Sequence, residues 1–304
     1  MGRNRKKVIN RKEFLHRSTA GLIGIGVAGY PTSGFLQKIS QEGTVQYRTL
    51  GRIGLKVTAV GLGGSRTDQP NVVKRVIDMG VNFIDTGRVY AKGRNEEMIG
   101  KVIKGVRSKI IIQSKFECED DRRVIEKSID GSLKALQTDC IDIMLRHGAD
   151  TEEELTNDEV LESITKAKKS GKIRFCGFST HRQAKMLRIA MKMGFYDIAM
   201  FPYNHRSGYW HQGGVEDKPF DTSGRFNEWD QDELEGVMKE AADSGLGLIA
   251  MKTCSGGPLQ EDGESKATFT SALKWILRNK NISTIVPGMG NFREIDEDVR
   301  AMWG

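Results

Sequence analysis

The run Asn82-Phe83-Ile84-Asp85-Thr86-Gly87-Arg88-Val89-Tyr90 decides the fold. A short apolar run ends in a carboxylate, and the loop after it returns a phenol five residues later. Taken alone, Asp85 reads as a loop acid or a helix cap. Two other positions change that reading. Lys115 closes Ile110-Ile111-Ile112-Gln113-Ser114, and His147 closes Ile141-Asp142-Ile143-Met144-Leu145-Arg146. Each is a polar side chain ending a strand-like run. In a parallel β/α barrel the strand ends converge on one face, and catalytic groups come from several of them. Asp85, Tyr90, Lys115 and His147 are therefore expected to share one site.

Working outward, strand-like and helix-like patterns alternate, which is the signature of parallel β/α units. Residues 47–50 and 56–60, with Gly51 and Gly54 between, read as a hairpin running into a first strand near 61–63. Later strands are expected at about 82–85, 110–114, 141–145, 173–178, 197–201, 247–251 and 283–287. Helices are expected near 71–79, 95–105, 121–136, 158–170, 182–193, 230–244 and 266–279. Eight strands result. The expected fold is α/β, a closed (β/α)8 TIM barrel over residues 47–304 with an N-terminal β-hairpin. The final helix has barely begun at Gly304, so a truncated last helix is expected.

The chain has 304 residues, 38% of them hydrophobic, enough for one barrel of roughly 250 residues and a leader. Its net charge of +7 raises the question of a nucleic-acid partner. Residues 1–17 hold seven bases and one acid, which leaves 40 bases and 39 acids in the remainder. The basicity belongs to the leader, and no nucleic-acid footprint is expected on the folded domain. Cys118, Cys140, Cys176 and Cys254 form no C-x-x-C pair, so no metal site is expected and free thiols are the plain reading.

Residues 1–30 pass from a basic start into the weakly apolar, glycine-rich run Ala20-Gly21-Leu22-Ile23-Gly24-Ile25-Gly26-Val27-Ala28. That run is far short of the ~20 apolar residues a spanning helix needs. Basic, then apolar, then turn-forming residues is the order of an export signal. Asn10-Arg11-Lys12-Glu13-Phe14-Leu15-His16 resembles the twin-arginine export motif, with Lys12 where the second arginine normally stands. The resemblance implies the twin-arginine export machinery as a partner, membrane contact only through the leader, and an exported, extracytoplasmic location. A disordered basic tail on a cytoplasmic protein is the alternative. Residues 31–46, rich in Ser, Gly, Thr and Gln, read as a linker.

Several ordered stretches resemble the aldo-keto reductase family: NFIDTGRVY at 82–90, GRNEEMIGK at 93–101, SKF at 114–116, SLKALQTDCIDIMLRH at 132–147 and GKIRFCGFS at 171–179. The resemblance extends over about residues 47–298. It implies an NAD(P)H-dependent oxidoreductase that reduces an aldehyde or ketone to an alcohol. A carbonyl accepting hydride must gain a proton as negative charge grows on its oxygen. Tyr90 is the natural proton donor, but a phenol has an unperturbed pKa of about 10. An ammonium close by favours the phenolate. Lys115 can serve so, Asp85 can hold it charged and aimed, and His147 can hydrogen-bond the carbonyl oxygen. These four fall on the family's catalytic tetrad.

For the cofactor, NADPH with NADH as second choice, the resemblance implies contacts from Ser179 and Thr180 to the nicotinamide amide. Met200 stands where a glutamine is usual. Met251 stands where an aromatic residue often stacks, and thioether sulfur can also pack on a ring. Lys252, Thr253, Ser255 and Gly256 follow the seventh strand; Gly288 and Asn291 follow the eighth, and barrel phosphate sites form there. Glu297 lies at the adenine contact, with Asp298 in place of the usual asparagine. Glu294 stands where many members carry an arginine for the ribose 2′-phosphate, and adjacent Arg293 is the substitute.

The segment from His205 to Trp229 should form a rim loop after the sixth strand, lining a pocket, closing over the cofactor or packing on itself. Thr151-Glu152-Glu153-Glu154 reads as a solvated loop. The rival to an enzyme is a non-catalytic nicotinamide-nucleotide-binding module, a redox sensor or partner subunit, which Thr180, Met200 and Met251 favour and the intact tetrad opposes.

Overall fold

Tyr47–Leu50 (β1) and Leu55–Thr58 (β2) pair antiparallel, joined by a 3-10 turn at Gly51–Ile53. The computed structural model describes residues 44–116, 120–210 and 226–303. The leader at 1–30, most of the linker at 31–46, Cys118 and the middle of the rim loop lie outside the described residues. The described residues fall in one compact unit.

Eight parallel strands follow: Leu62–Gly63 (β3), Phe83–Asp85 (β4), Ile111–Phe116 (β5), Ile141–Arg146 (β6), Ile173–Ser179 (β7), Ile198–Pro202 (β8), Gly247–Met251 (β11) and Ile282–Ile285 (β12). Gly208–Trp210 (β9) and Phe226–Glu228 (β10) make a separate antiparallel ribbon. The helices are Pro70–Asp78 (α1), Arg94–Ile103 (α2), Arg122–Leu136 (α3), Glu152–Thr156 (α4), Asp158–Lys169 (α5), Gln183–Met193 (α6), Gln231–Asp243 (α7), Phe269–Arg278 (α8) and Phe292–Val299 (α9).

The closed TIM barrel expected from the sequence is corrected. The sheet runs in the order β12-β11-β8-β7-β6-β5-β4-β3 and has two ends. Its edges meet only at isolated bridges, Val60 with Ile285 and Gly63 with Gly288. The local backbone explains why no ladder forms there. β3 is two residues long, and Pro287 opposite it has no N–H to donate, although its carbonyl accepts from Gly63 at 2.8 Å. The sheet is a curl with a short seam.

Alternation along the strands then divides the core. Side chains of successive strand residues point to opposite faces. Phe83, Ile143, Leu145, Ile198, Met200 and Ile249 fill the inside of the curl, with Leu50 and Val57 of the hairpin packed against them. Ile84, Ile112, Met144, Cys176, Ala199, Phe201, Leu248 and Ala250 face the helices. Two residues beyond Phe83, Gln113 and Leu145 come Asp85, Lys115 and His147, the inward row nearest the C-terminal ends of their strands.

One local expectation is also corrected. Thr151 and Glu154 form a capping box that starts α4, with three acidic residues in its first turn. Thr-x-x-Glu satisfies two orphan N–H groups at once, and acids there favour the helix dipole. Leu155 is fully buried, and its carbonyl accepts from the Tyr196 hydroxyl at 2.7 Å. After β12 the chain forms the two-turn helix α9 and a 3-10 turn, and Trp303 bridges back to Val45.

Candidate active site

Asp85 ends β4 and Lys115 sits one residue before the end of β5, and the parallel register between these strands brings their side chains together. Lys115 Nζ donates to Asp85 Oδ1 at 2.6 Å and to the Thr86 carbonyl at 2.7 Å. Both side chains are almost wholly buried, at 1% and 3% exposure. Burial opposes the ammonium's charge. Attraction and hydrogen bonds to Asp85 and Tyr90 outweigh it, so the Lys115 pKa stands above its ordinary value. Gln113, one inward position earlier on β5, donates to the same Asp85 Oδ1 at 2.8 Å and to the Met200 sulfur at 3.4 Å. Its own Oε1 is buried without a partner.

Tyr90 reaches this pair from the loop after β4. The Lys115 ammonium lies 4.7 Å from the centre of its ring. The His147 ring meets it edge-on, with centroids 6.1 Å apart. The loop is held from behind: the Arg88 guanidinium pairs with Glu96, which is fully buried, and the other Glu96 oxygen accepts from Ser114 Oγ at 2.6 Å. Ala91, Lys92 and Gly93 all take positive φ directly after Tyr90 (48°, 56° and 85°). Two of those residues carry a Cβ, so the turn stores strain that the Arg88–Glu96 pair restrains. Burial, with Lys115 and His181 nearby, pushes the His147 pKa down to about 3. The imidazole is neutral at ordinary pH and offers one N–H donor.

The cofactor expectations divide. Ser179 accepts from the Gly148 N–H at 3.0 Å, next to His147, and so steadies that loop. Thr180 is drawn away: its hydroxyl donates to Asp150 at 2.8 Å and accepts from Arg182 N at 3.0 Å. Met200 is buried inside the curl beside Gln113, while Met251 is half-buried at the end of β11. Thr253 is buried, and Ser255 closes a turn by donating its N–H to the Lys252 carbonyl at 3.1 Å. A Cβ on Gly256 would stand 3.0 Å from Asn204 Oδ1. Asn291 caps α9, accepting from Glu294 N at 3.0 Å, and Glu297 accepts from Phe269 N at 2.9 Å at the start of α8. Arg293 is exposed.

The sequence reading missed Gln113, Arg88, Glu96, Asp150 and Arg66. Gln113 had a signal, since it stands two residues before Lys115 on one strand and must share its face. Arg66 had none. It lies across Gly288, where a Cβ would be 3.0 Å from Arg66 Cδ, and its side chain is 65% exposed with only a 3.7 Å contact to Glu294. A loosely paired guanidinium over a glycine turn at the end of the eighth parallel strand fits the phosphate of a dinucleotide. Against it stands buried Asp298, whose pKa is raised to about 7 by burial and by Glu297 and Glu294. Cys140, Cys176 and Cys254 are free thiols, and among the described residues no His, Cys, Asp and Glu cluster could hold a metal.

The profile of the Aldo/keto reductase family matches residues 56–271. The chain belongs to that family. It is accordingly an NAD(P)H-dependent oxidoreductase of carbonyl compounds. The "Uncharacterized oxidoreductase YqkF" of Bacillus subtilis (strain 168) is 24% identical over 278 residues, which cover 84% of this chain and 90% of that one. The "L-galactose dehydrogenase" of Arabidopsis thaliana is 26% identical over 306 residues, covering 85% and 88%. Among solved structures, the holo form of aldo-keto reductase AKR11C1 from Bacillus halodurans superposes with a TM-score of 0.68 at 21% identity, covering 85% of this chain and 91% of that one. An aldo-keto reductase from Klebsiella pneumoniae, solved in complex with NADPH, gives 0.64 at 20% identity, covering 84% and 90%. This aldo/keto reductase has no helix among the described residues long and apolar enough to cross a membrane.

Proposed function

We propose that Tyr90 is the proton donor of this reductase, with Lys115, Asp85 and His147 as its working partners. One observation carries the reading: a buried ammonium held between a carboxylate at 2.6 Å and the Tyr90 ring at 4.7 Å. When bound, the reduced nicotinamide supplies the hydride. The Tyr90 phenol gives its proton to the carbonyl oxygen as charge develops there, and Lys115 steadies the phenolate that remains. Asp85 keeps Lys115 charged in a place where burial would otherwise discharge it. Neutral His147 donates one hydrogen bond to the same oxygen and fixes the carbonyl's orientation. Arg66, with the turns at 253–257 and 287–291, would hold the phosphates; Met251 and Ser179 would border the nicotinamide end.

The test is consumption of NADPH by the full chain with a reactive aromatic aldehyde, beside Tyr90→Phe. Loss of the general acid should lower turnover by about 10²–10⁴-fold with nucleotide binding retained. A Tyr90→Phe enzyme that works as well as the wild type refutes the assignment.

We also propose that residues 1–30 are an export leader of the twin-arginine kind, joined by 31–46 to the catalytic unit at 47–304. The order of basic, apolar and turn-forming residues supports it. Residues 1–46 fused to a reporter should direct export that Arg11→Gln with Lys12→Gln abolishes; export indifferent to both changes refutes it.

A further inference from the structure

Lys252 follows β11 directly, and its backbone is left-handed, with φ of 51°. A residue with a Cβ adopts that conformation only when its surroundings impose it. Here two donors hold its carbonyl, Asn204 Nδ2 at 3.2 Å and Ser255 N at 3.1 Å. The turn aims the side chain at the rim ribbon, where the ammonium lies 4.9 Å from the centre of the Tyr209 ring. Tyr209 in turn meets His181, with ring centroids 5.4 Å apart. The cation therefore lies on the rim where Tyr209 and His181 meet, close enough for its charge to act on His147.

Among the described residues no acid pairs with it. Asp150, whose charge reaches Tyr209, is already engaged: Oδ1 accepts from Thr180 Oγ1 at 2.8 Å and His181 N at 2.6 Å, and Oδ2 lies 3.8 Å from His181 Nδ1. Burial alone accounts for the lowering of the Lys252 pKa, with no carboxylate offsetting it, and its charge reaches His147. A half-buried ammonium resting on an aromatic face, with no counter-ion among the described residues, is a feature that costs stability. A bound anion removes that cost.

We infer that Lys252 is the subsite for a carboxylate carried by the carbonyl substrate, so that the preferred substrates are aldehydes or ketones that are also carboxylic acids. The inference rests on the catalytic reading above, which places the reacting carbonyl between Tyr90 and His147. A single ammonium matches a single negative charge, whereas a phosphate dianion calls for a cluster of donors. It also reassigns Lys252 from the cofactor phosphates, where the sequence put it, to the substrate.

Two measurements on the full chain test this. The first compares turnover of 4-carboxybenzaldehyde and benzaldehyde by wild type, Lys252→Met, Lys252→Arg and Tyr209→Leu. The second is calorimetric titration of benzoate into the protein with oxidised nucleotide present, which needs no turnover. The wild type should favour the carboxylated aldehyde through KM. Lys252→Met, which removes an unpaired charge and should fold, should raise that KM relative to benzaldehyde's by about tenfold or more, the loss of one charge-assisted hydrogen bond. It should weaken benzoate equally; Lys252→Arg should retain most of both, and Tyr209→Leu should fall between. Benzoate binding unchanged in Lys252→Met overturns the proposal. So does a KM that rises alike for both aldehydes while that for the nucleotide rises too, which returns Lys252 to the cofactor. If the wild type turns over neither aldehyde, the catalytic reading fails, and the benzoate titration still decides the subsite.

Discussion

Replacing Lys115 by Met keeps the length of the side chain and removes its charge. Asp85 is then left 3% exposed, with the Gln113 amide still donating to it but no cation to balance its charge. Breaking a buried pair by removing one partner costs about 3–5 kcal/mol, a large share of the roughly 5–15 kcal/mol that holds a domain folded. The sign with pH is fixed by the lysine. Its pKa is raised in the folded state, so the stabilisation is whole below the unfolded value of 10.5 and is lost only as pH rises through the raised one. Urea unfolding at pH 7 therefore reads all of it, as a midpoint lower by roughly 1 M or more. Adding Asp85→Asn should restore a good part of the loss. The buried carboxylate is gone, and the amide introduced in its place can donate to Gln113 Oε1, which has no partner in the wild type. A double variant no more stable than Lys115→Met would refute the reasoning, because the cost would then lie in packing and not in the stranded charge.

Other expectations follow from the same electrostatics and from the loop that carries Tyr90. The His147 pKa is lowered from 6.5 to about 3, so the unfolded chain takes up a proton that the folded one refuses in that window. Stability should fall between pH 7 and pH 5 by at most about 2 kcal/mol on this account, and His147→Gln should flatten that part of the urea profile. Asp298 behaves in the opposite sense: its folded pKa of about 7 stands above the unfolded 3.8, so its favourable share is present at low pH and lost as pH rises through 7. Asp298→Asn should raise the melting temperature at pH 8 and change little at pH 4; equal effects at both would rule out the ionisation. Gly93→Ala places a Cβ onto the Arg88 guanidinium at a φ of 85°. It should cost more than about 2 kcal/mol by thermal unfolding and lower turnover, since Arg88 must leave Glu96. Wild-type turnover would show that the pair does not position Tyr90.

The strands were legible because each parallel strand is a short apolar run, and the candidate catalytic residues could be read off the ends of those runs. The edge of the sheet was not legible. Whether β3 and β12 ladder or merely touch depends on single backbone positions, Gly61, Gly63 and the donor-less Pro287, and apolar pattern carries no information about them. Helix α4 shows the converse. Its capping box, Thr151 with Glu154 three residues on, is a local signal that the acidic run Glu152-Glu153-Glu154 obscures in the sequence.

Side chains inside the curl obey the alternation, so Asp85, Lys115 and His147 can be put on one face from spacing alone, and Gln113 with them. Polar residues on the connecting turns obey a different rule, because each is contested by whatever backbone or carboxylate lies nearest. Thr180 goes to Asp150, thirty residues earlier in the chain, and Glu297 goes to the first N–H of α8, twenty-eight earlier. Neither competitor is visible locally, and each offers a hydrogen bond whether or not a cofactor is present. A turn residue remains available to a ligand only where the fold supplies no rival. That condition is met best by Lys252 and Arg66: among the described residues no acid pairs with the first, which lies on an aromatic ring, and the second has a loose 3.7 Å contact to Glu294. On the proposed reading, charge that the fold leaves loosely paired marks where ligands would bind.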